Sequence, residues 1–181
     1  SRTRPAGFEP LAKIIVEQQV SLASAEAIWR RLTDAVTPFT PSQMIEFSEV
    51  ELRSFGLSLQ KARYCRALAE DILDGRLTLN GLHNLDDDDV LHQLTQVKGI
   101  GRWTAEIYMM ACLGRTDIWP AGDVALQTAF GHLKKLPTRP DIAQMDVLAE
   151  PLRPYRTIAA RILWRYYADV VQAPTRKNIS G

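Results

Sequence analysis

The chain has 181 residues, of which 46% are hydrophobic and 24% charged, and its formal net charge at pH 7 is +1. This length allows a sizeable core in one domain or two small lobes, and the composition is that of an ordinary globular protein. The low net charge excludes a broadly basic surface, so any contact with a polyanion must come from local placement of amides and a few Arg or Lys side chains.

Helical periodicity dominates the first half of the chain, and strand patterns are absent. We predict a first helix over Phe8 to Gln19, with Pro10 tolerated in its opening turn. A second helix begins at Ser21, carries apolar residues spaced by three or four positions, and ends before Pro38. Serine caps predict two short helices over residues 42–47 and 48–55, and a longer one that begins at residue 58.

Four consecutive aspartates, Asp86 to Asp89, precede the next predicted helix. Adjacent residues on a helix do not face each other, so these four carboxylates cannot easily converge on one metal ion. We favour an acidic first turn, which the helix dipole stabilises, ahead of the apolar residues Val90, Leu91 and Leu94.

The second half of the chain continues the helical pattern, with helices predicted over residues 101–113, 123–130, 141–150 and 154–171. The expected fold class is therefore all-α. Cys65 and Cys112 lie within helical patterns, which predicts buried thiols in a reducing, intracellular compartment rather than a disulfide. No apolar run is long enough to span a bilayer, so we expect no membrane partner.

The most informative local pattern is Val97-Lys98-Gly99-Ile100-Gly101-Arg102-Trp103-Thr104-Ala105. Its two glycines predict a tight turn that opens a helix, because glycine adopts positive φ and has no Cβ to hold off a bulky partner. The first amides of that helix lack intrahelical acceptors and lie at the positive end of its dipole. They predict an anion site, for which a nucleic-acid phosphate is one candidate. Taken alone, such a turn is more often only a tight turn.

Together with Gly122-Asp123, this turn resembles the helix-hairpin-helix and Gly/Pro-rich aspartate signature of the DNA base-excision glycosylases. Three more segments follow that family's order and spacing: Glu17-Gln18-Gln19-Val20-Ser21, Gly56-Leu57-Ser58-Leu59-Gln60-Lys61-Ala62 and Arg153-Pro154-Tyr155-Arg156-Thr157. The chain is most similar to the 3-methyladenine DNA glycosylase II type, the alkylation-repair enzymes of bacteria and yeast, in a compact form without an N-terminal sheet domain. The resemblance covers nearly everything from Phe8 to Val171.

The resemblance implies a two-lobed helical fold with a central cleft. Residues 36–120 would form a central bundle with the hairpin, and residues 1–35 with 121–181 would form the second lobe. It also implies a monomer that acts on double-stranded DNA containing damaged bases. Such an enzyme flips an alkylated purine, of the 3-methyladenine or 7-methylguanine type, out of the duplex and hydrolyses its N-glycosidic bond in base excision repair.

Two features predict an enzyme without lyase activity or a redox cofactor. Family members that also nick the strand use a lysine nucleophile on the helix after the hairpin, and the matching position here is Trp103. Members with an Fe–S cluster need four cysteines near the C-terminus, where this chain has none.

The resemblance places the catalytic carboxylate on Asp123. It would stabilise positive charge on the sugar or orient and deprotonate the attacking water. The residues alone leave open that Asp123 only caps a helix. The base pocket would be lined by Trp103, Trp164, Ile107 and Val124. An indole face attracts a cationic base by about 0.5–2 kcal/mol, although both tryptophans could equally be core residues.

The DNA-binding residues follow from the same resemblance. Gln19 would fill the gap left by the flipped nucleotide, with Gln18 and Ser21 beside it in the minor groove; the alternative is a polar pair at a helix end. Contacts to phosphate would come from Gly99, Gly101 and Thr104, with charge added by Lys98 or Arg102. The main-chain carbonyls of Thr95, Val97 and Ile100 would hold a structural Na⁺ or K⁺.

Two alternatives stay open at this stage. The chain could be a catalytically weak or inactive paralogue that binds damaged DNA. It could also prefer ethenoadenine or deaminated bases, because Ile107 stands where the long bacterial enzyme has an aromatic residue and Val124 also departs from its pocket.

Overall fold

The computed structural model describes residues 5–172, and the regular elements in that range are all helical, which confirms the all-α class. Three short turns of other helical types lie at Leu79–Asn84, Glu150–Leu152 and Tyr167–Val171. The α-helices are α1 Phe8–Glu17, α2 Leu22–Ala35, α3 Pro41–Ile45, α4 Glu49–Ser54, α5 Leu59–Leu73, α6 Asp87–Thr95, α7 Arg102–Ala111, α8 Val124–Leu133, α9 Ile142–Ala149 and α10 Arg156–Tyr166.

The chain groups into two compact units that divide between Arg115 and Thr116. In the first unit, α1 packs against α2, α5 and α7, while α5 also contacts α3 and α4. In the second unit, α8 packs against α10. This grouping places α1 and α2 with the hairpin, whereas the expected lobes place residues 1–35 with the C-terminal helices. The expected lobes and the cleft between them remain predictions.

Helix α1 is the buried centre of the first unit. Leu11, Ile15 and Val16 have no exposed surface, and full burial of each such side chain contributes about 1.5–3 kcal/mol. The hydroxyl of Tyr108 on α7 accepts a hydrogen bond from the Gly7 amide at 2.9 Å, which anchors the start of α1. Burial raises the pKa of Tyr108 to about 12.

The two cysteines are free and buried, as predicted. Burial raises the pKa of the Cys65 thiol to about 12, with a smaller opposing effect from Lys61. Because the thiolate is the reactive form, Cys65 is an inert packing residue in this structure.

Side-chain caps determine where most of the helices begin. Asp86 caps α6 by accepting a hydrogen bond from the Asp89 amide at 2.8 Å, and Asp87, Asp88 and Asp89 form the acidic first turn that we predicted. The predicted start of the third helix at residue 42 is wrong. That helix begins at Pro41, because the Thr40 hydroxyl accepts a hydrogen bond from the Gln43 amide.

In the second unit, a series of contacts holds the segment that leads to α8. Asp117 forms an ion pair with Arg156 at 2.8 Å. The Thr157 hydroxyl accepts a hydrogen bond from the Ile118 amide at 2.9 Å, and the buried Trp119 indole donates to the Met145 carbonyl at 3.1 Å. This segment therefore has a defined path up to residue 119.

The last part of the segment is held by the first turns of α8. The side-chain amide of Gln127 donates to the Ala121 carbonyl at 2.8 Å. Trp119 also contacts Phe130 in an edge-to-face arrangement with ring centroids 5.7 Å apart. Buried contacts on both sides therefore fix the position of Asp123, the residue after Gly122, at the start of α8.

Between residues 5 and 172, no helix combines the length and hydropathy needed to cross a membrane.

The ion pairs of Asp117 predict an acid-sensitive contribution to stability. Burial alone would raise the pKa of Asp117, but hydrogen bonds and positive charge from Arg156, with Arg153 nearby, outweigh it and lower the pKa below 3.8. We expect Asp117→Asn to reduce the free energy of unfolding at neutral pH by about 1–3 kcal/mol.

This stabilisation is fully present above the unfolded-state pKa of about 3.9 and is lost as the pH falls through the lower folded-state pKa. Urea unfolding of both proteins at neutral pH and at about pH 3 measures the difference. A difference between the proteins that stays constant across this range would contradict the assignment.

Candidate active site and nucleic-acid interface

Asp123 is the N-cap of α8, and two hydrogen-bond donors meet one of its carboxylate oxygens. Oδ1 accepts from the amide of Leu126 at 2.9 Å and from the indole N–H of Trp164 at 3.0 Å. The side chain is half-buried. The helix-capping alternative is therefore confirmed as a structural role, and it holds a negative group at the positive end of α8.

Trp164 belongs to this site through its polar edge. Its indole N–H donates a hydrogen bond to Asp123, which fixes the ring beside the carboxylate. The ring is half-buried, so part of its surface is exposed. The neighbouring Val124 is 55% exposed, so an apolar side chain faces outward directly after the carboxylate. In the second unit, the structure thus brings together three of the predicted site residues.

The two other predicted pocket residues lie on α7 in the first unit. Trp103 and Ile107 are four positions apart on one face of the helix, and both are half-buried. This partial exposure distinguishes them from Trp119, which is a core residue with 2% exposure.

The two glycines in the turn between α6 and α7 differ in backbone conformation and in the space around them. Gly99 has φ of +92°, and an added Cβ would lie 2.2 Å from the ring of Tyr64 on α5. Gly101 has an ordinary φ of −83°, and a Cβ there would meet no heavy atom within 4 Å. Of the two reasons expected for glycine here, positive φ applies to Gly99, whereas at Gly101 the missing side chain leaves the end of α7 open.

That open end presents the amides of Arg102, Trp103 and Thr104. Gly101 is the N-cap of α7 and makes no side-chain cap hydrogen bond. The first amides of this ten-residue helix lie at the positive end of its dipole, where an anion is favoured. Lys98 is exposed in the turn before them.

Thr104 and Arg102 both have partners within the protein. Thr104 is only 3% exposed, and its hydroxyl accepts a hydrogen bond from the side chain of Gln18. The Thr104 hydroxyl is therefore bonded within the protein, and the phosphate contact predicted for Thr104 would be made by its amide. Arg102 pairs with the buried Glu106, one helical turn away. The i,i+4 spacing could have revealed this pair.

The predicted wedge lies in the turn between α1 and α2. Gln18 ends α1 and is bonded through its side chain to Thr104, whereas Gln19 is exposed and has φ of +55°. Ser21 caps α2, because its hydroxyl accepts a hydrogen bond from the Ser24 amide at 3.3 Å. Gln18 is the C-cap of α1 and Gln19 follows it directly, so the helix-terminal alternative stays open beside the wedge role.

Val97 and Ile100, two of the three residues whose carbonyls are predicted to hold a cation, lie in the same turn as the glycines, and Thr95 is the last residue of α6. Within residues 5–172, no cluster of three or more His, Cys, Asp or Glu side chains could hold a metal ion, so any bound ion there must use other donors. The Val97 carbonyl accepts the Ile100 amide at 3.0 Å. A carbonyl oxygen has two lone pairs, so this bond still leaves one for an ion. Carbonyl donors suit a hard monovalent cation, and the turn fits the expected ion in this respect.

Comparison with known proteins identifies the family. The model of the "HhH-GPD superfamily base excision DNA repair protein" family matches residues 12–154, which include the hairpin and Asp123. The chain belongs to this superfamily.

Individual members of the superfamily resemble the chain over most of its length. DNA-3-methyladenine glycosylase 1 of Schizosaccharomyces pombe is 30% identical over 87% of this chain and 71% of its own. The crystal structure of a DNA-3-methyladenine glycosidase from Bacillus halodurans gives a TM-score of 0.83 at 34% identity, and the match covers 94% of this chain and 80% of that one. The S. pombe 3-methyladenine DNA glycosylase in complex with abasic DNA gives a TM-score of 0.79 at 28% identity, over 91% and 85% of the two chains.

The contrast between the two hairpin glycines is testable by stability alone. Gly99→Ala should lower the free energy of unfolding by about 2–4 kcal/mol, because its Cβ is strained at positive φ and collides with Tyr64. Gly101→Ala should change it by less than about 0.5 kcal/mol, since its Cβ meets open space. Urea unfolding of both variants measures the difference, and equal losses would refute the distinction.

Proposed function

We propose that this protein is a monofunctional DNA glycosylase that excises alkylated purines, of the 3-methyladenine or 7-methylguanine type, from duplex DNA during base excision repair. The observation that carries the proposal is the half-buried carboxylate of Asp123, held by two donors at the start of α8 in a chain of this superfamily. The enzyme would act as a monomer.

The chemistry requires little from the protein at the base itself. A purine alkylated at a ring nitrogen carries positive charge and leaves readily once it is outside the base stack. The larger need is to stabilise the positive charge that develops on the sugar as the glycosidic bond breaks. A carboxylate whose position is already held by hydrogen bonds meets that need, because it does not have to reorganise during the reaction.

Asp123 can also act on the water that completes the hydrolysis. Leu126 and Trp164 both donate to Oδ1, so the carboxylate keeps one orientation. A fixed carboxylate can orient a water molecule or accept its proton. Trp103, at the position of the lyase lysine, cannot form a Schiff base, which supports hydrolysis without strand cleavage.

The aromatic residues provide selectivity for a cationic base. The indole of Trp164 is fixed next to Asp123, and Trp103 offers a second half-buried indole on α7. Attraction between a cation and an aromatic face contributes about 0.5–2 kcal/mol, which favours an alkylated purine over its neutral parent.

The hairpin would hold the DNA backbone. The first amides of α7, those of Arg102, Trp103 and Thr104, would bind phosphate, with Lys98 adding positive charge, and Gly101 lets the backbone approach closely. A Na⁺ or K⁺ ion held by the carbonyls of Thr95, Val97 and Ile100 would add positive charge to this turn when bound. Such contacts position the DNA and carry no sequence information.

The wedge would be Gln19, supported by its exposed position outside α1. A glutamine side chain can fill the gap left by a flipped nucleotide and also hydrogen-bond the base that has lost its partner. This use of an amide side chain stabilises the flipped state, which otherwise costs about 2–4 kcal/mol in lost stacking and pairing.

A wider lesion range is the second candidate function. Val124 is 55% exposed and Ile107 is aliphatic, so these pocket positions offer no additional aromatic face to select a cationic base. Ethenoadenine or deaminated bases could then also be substrates. Chromatography of the bases released from duplexes carrying a panel of lesions ranks them, and strand-cleavage gels before and after alkali test for lyase activity.

Replacement of the carboxylate tests the catalytic proposal. Asp123→Asn keeps an oxygen that can accept from Leu126 and Trp164, so the fold should persist while the charge is lost. We expect base release from methylated duplex DNA to fall by at least about 100-fold, with binding to abasic DNA retained.

Asp141→Asn is the matched control. Asp141 caps α9 in the same unit, because its carboxylate accepts a hydrogen bond from the Gln144 amide at 2.8 Å. It has no role in the proposed chemistry. This variant should keep its activity. An Asp123→Asn enzyme that releases base at the full rate would refute the mechanism, and DNA binding without base release by the unaltered protein would identify the inactive paralogue.

Added bulk at the hairpin tests the phosphate contact. Gly101→Val should weaken binding to damaged and undamaged duplexes alike, by about tenfold, because the added side chain obstructs a phosphate. Gly81→Val adds the same bulk outside the hairpin, where a Cβ makes only an ordinary 3.7 Å contact with Thr78, and should leave the affinity unchanged. Fluorescence anisotropy with labelled duplexes measures both. Unaltered affinity in Gly101→Val would argue against the hairpin as the DNA-binding element.

A further inference from the structure

The turn after α1 adopts a conformation that its own sequence disfavours. Gln19 has φ of +55°, in the left-handed region that residues with a Cβ rarely occupy. Helices that end in this conformation usually place glycine there. Since glycine would adopt this conformation at lower energy, other parts of the protein must hold the glutamine in it. A functional role for its side chain would explain why the position is not a glycine.

Lys61 on α5 supplies the first support. Its ammonium group donates hydrogen bonds to the carbonyl of Val16 at 2.6 Å and to the carbonyl of Gln18 at 2.5 Å. These carbonyls lie at the C-terminal end of α1, where intrahelical donors run out and positive charge is favoured. Partial burial lowers the pKa of Lys61, with a smaller opposing effect from Cys65.

Thr104 on α7 supplies the second support. Its buried hydroxyl accepts a hydrogen bond from the side chain of Gln18. Gln18 is therefore held through its carbonyl by α5 and through its side chain by α7. The next residue, Gln19, is exposed, and among residues 5–172 its side chain has no hydrogen-bond partner.

We propose that Lys61 is a positioning residue for base flipping, which holds the backbone around Gln18 so that Gln19 projects from the protein as the wedge. Thr104 is its counterpart on α7. Because Thr104 also lies in the first turn of that helix, the wedge and the phosphate-binding amides share one rigid support. This inference rests on the proposed function, in which Gln19 enters the duplex.

A purely structural role would be to cap α1, and it makes a different prediction. If Lys61 only stabilised the fold, its removal would lower stability without depending on the side chain at position 19. If Lys61 acts through Gln19, the effect on flipping must disappear once the glutamine side chain is removed. A double-mutant cycle separates the two roles.

The test uses Lys61→Met, which keeps the length of the side chain and removes its donors. Flipping is measured by 2-aminopurine fluorescence in a duplex that carries this base opposite a tetrahydrofuran abasic analogue, so the signal does not need catalysis. Excision is measured in parallel, as single-turnover base release from methylated duplex at saturating enzyme. Thermal unfolding reports stability, and Lys61→Arg tests rescue by retained charge and donors.

We expect Lys61→Met to reduce the single-turnover rate and the fluorescence change at least about fivefold, with affinity for undamaged duplex within about twofold. In a Gln19→Ala background the same substitution should have less than about a twofold effect. Lys61→Arg should recover part of the loss. Lys13→Met is the matched control, because Lys13 lies on α1 and pairs with Glu17 away from the turn carbonyls, so it should behave like the unaltered protein.

Equal losses in the unaltered and Gln19→Ala backgrounds would overturn the inference, as would an unchanged rate and fluorescence signal in Lys61→Met. The inference would also be overturned if the unaltered protein gave no fluorescence change on the abasic duplex. If the unaltered protein gives that change but releases no base, the proposed glycosylase activity fails while the positioning role is still measured by fluorescence. The two failures are therefore distinguishable.

Discussion

The two hydrogen bonds to Oδ1 of Asp123 are the interactions on which the proposed chemistry depends. A helix amide and an indole N–H hold one oxygen of a half-buried carboxylate, and the segment before it is held by Asp117, Trp119 and Gln127. A charge that is to stabilise a short-lived cation must already be in place when the cation forms. Much of the second unit can be understood as support for that single group.

Helix ends also carry the proposed binding and positioning roles in the first unit. The N-cap of α7 is a glycine, and the first amides of this helix lie at the positive end of its dipole, where an anion is favoured. The end of α1 is closed by the ammonium group of Lys61 from another helix. In both cases the backbone groups that a helix cannot satisfy internally become binding or positioning elements.

The glycines of the hairpin show why one motif can combine two physical constraints. Gly99 is required by the fold, because its φ is positive and the ring of Tyr64 occupies the space of a Cβ. At Gly101 the fold leaves open space for a side chain, so the proposed approach of a phosphate is what would favour glycine there. Stability and the proposed binding are therefore separable at two positions of one turn.

The sequence by itself determined most of the helices, several of their caps and the family, because these depend on local periodicity and on the spacing of short motifs. It also placed Asp123 at the start of α8, since an aspartate ahead of an apolar helix is a local signal. Only the tertiary structure decided that Thr104 turns toward Gln18, that Tyr64 packs on Gly99 and that Lys61 closes α1. Gln18 and Thr104 are 86 positions apart, and Val16 and Lys61 are 45 apart, so no local pattern encodes these pairings.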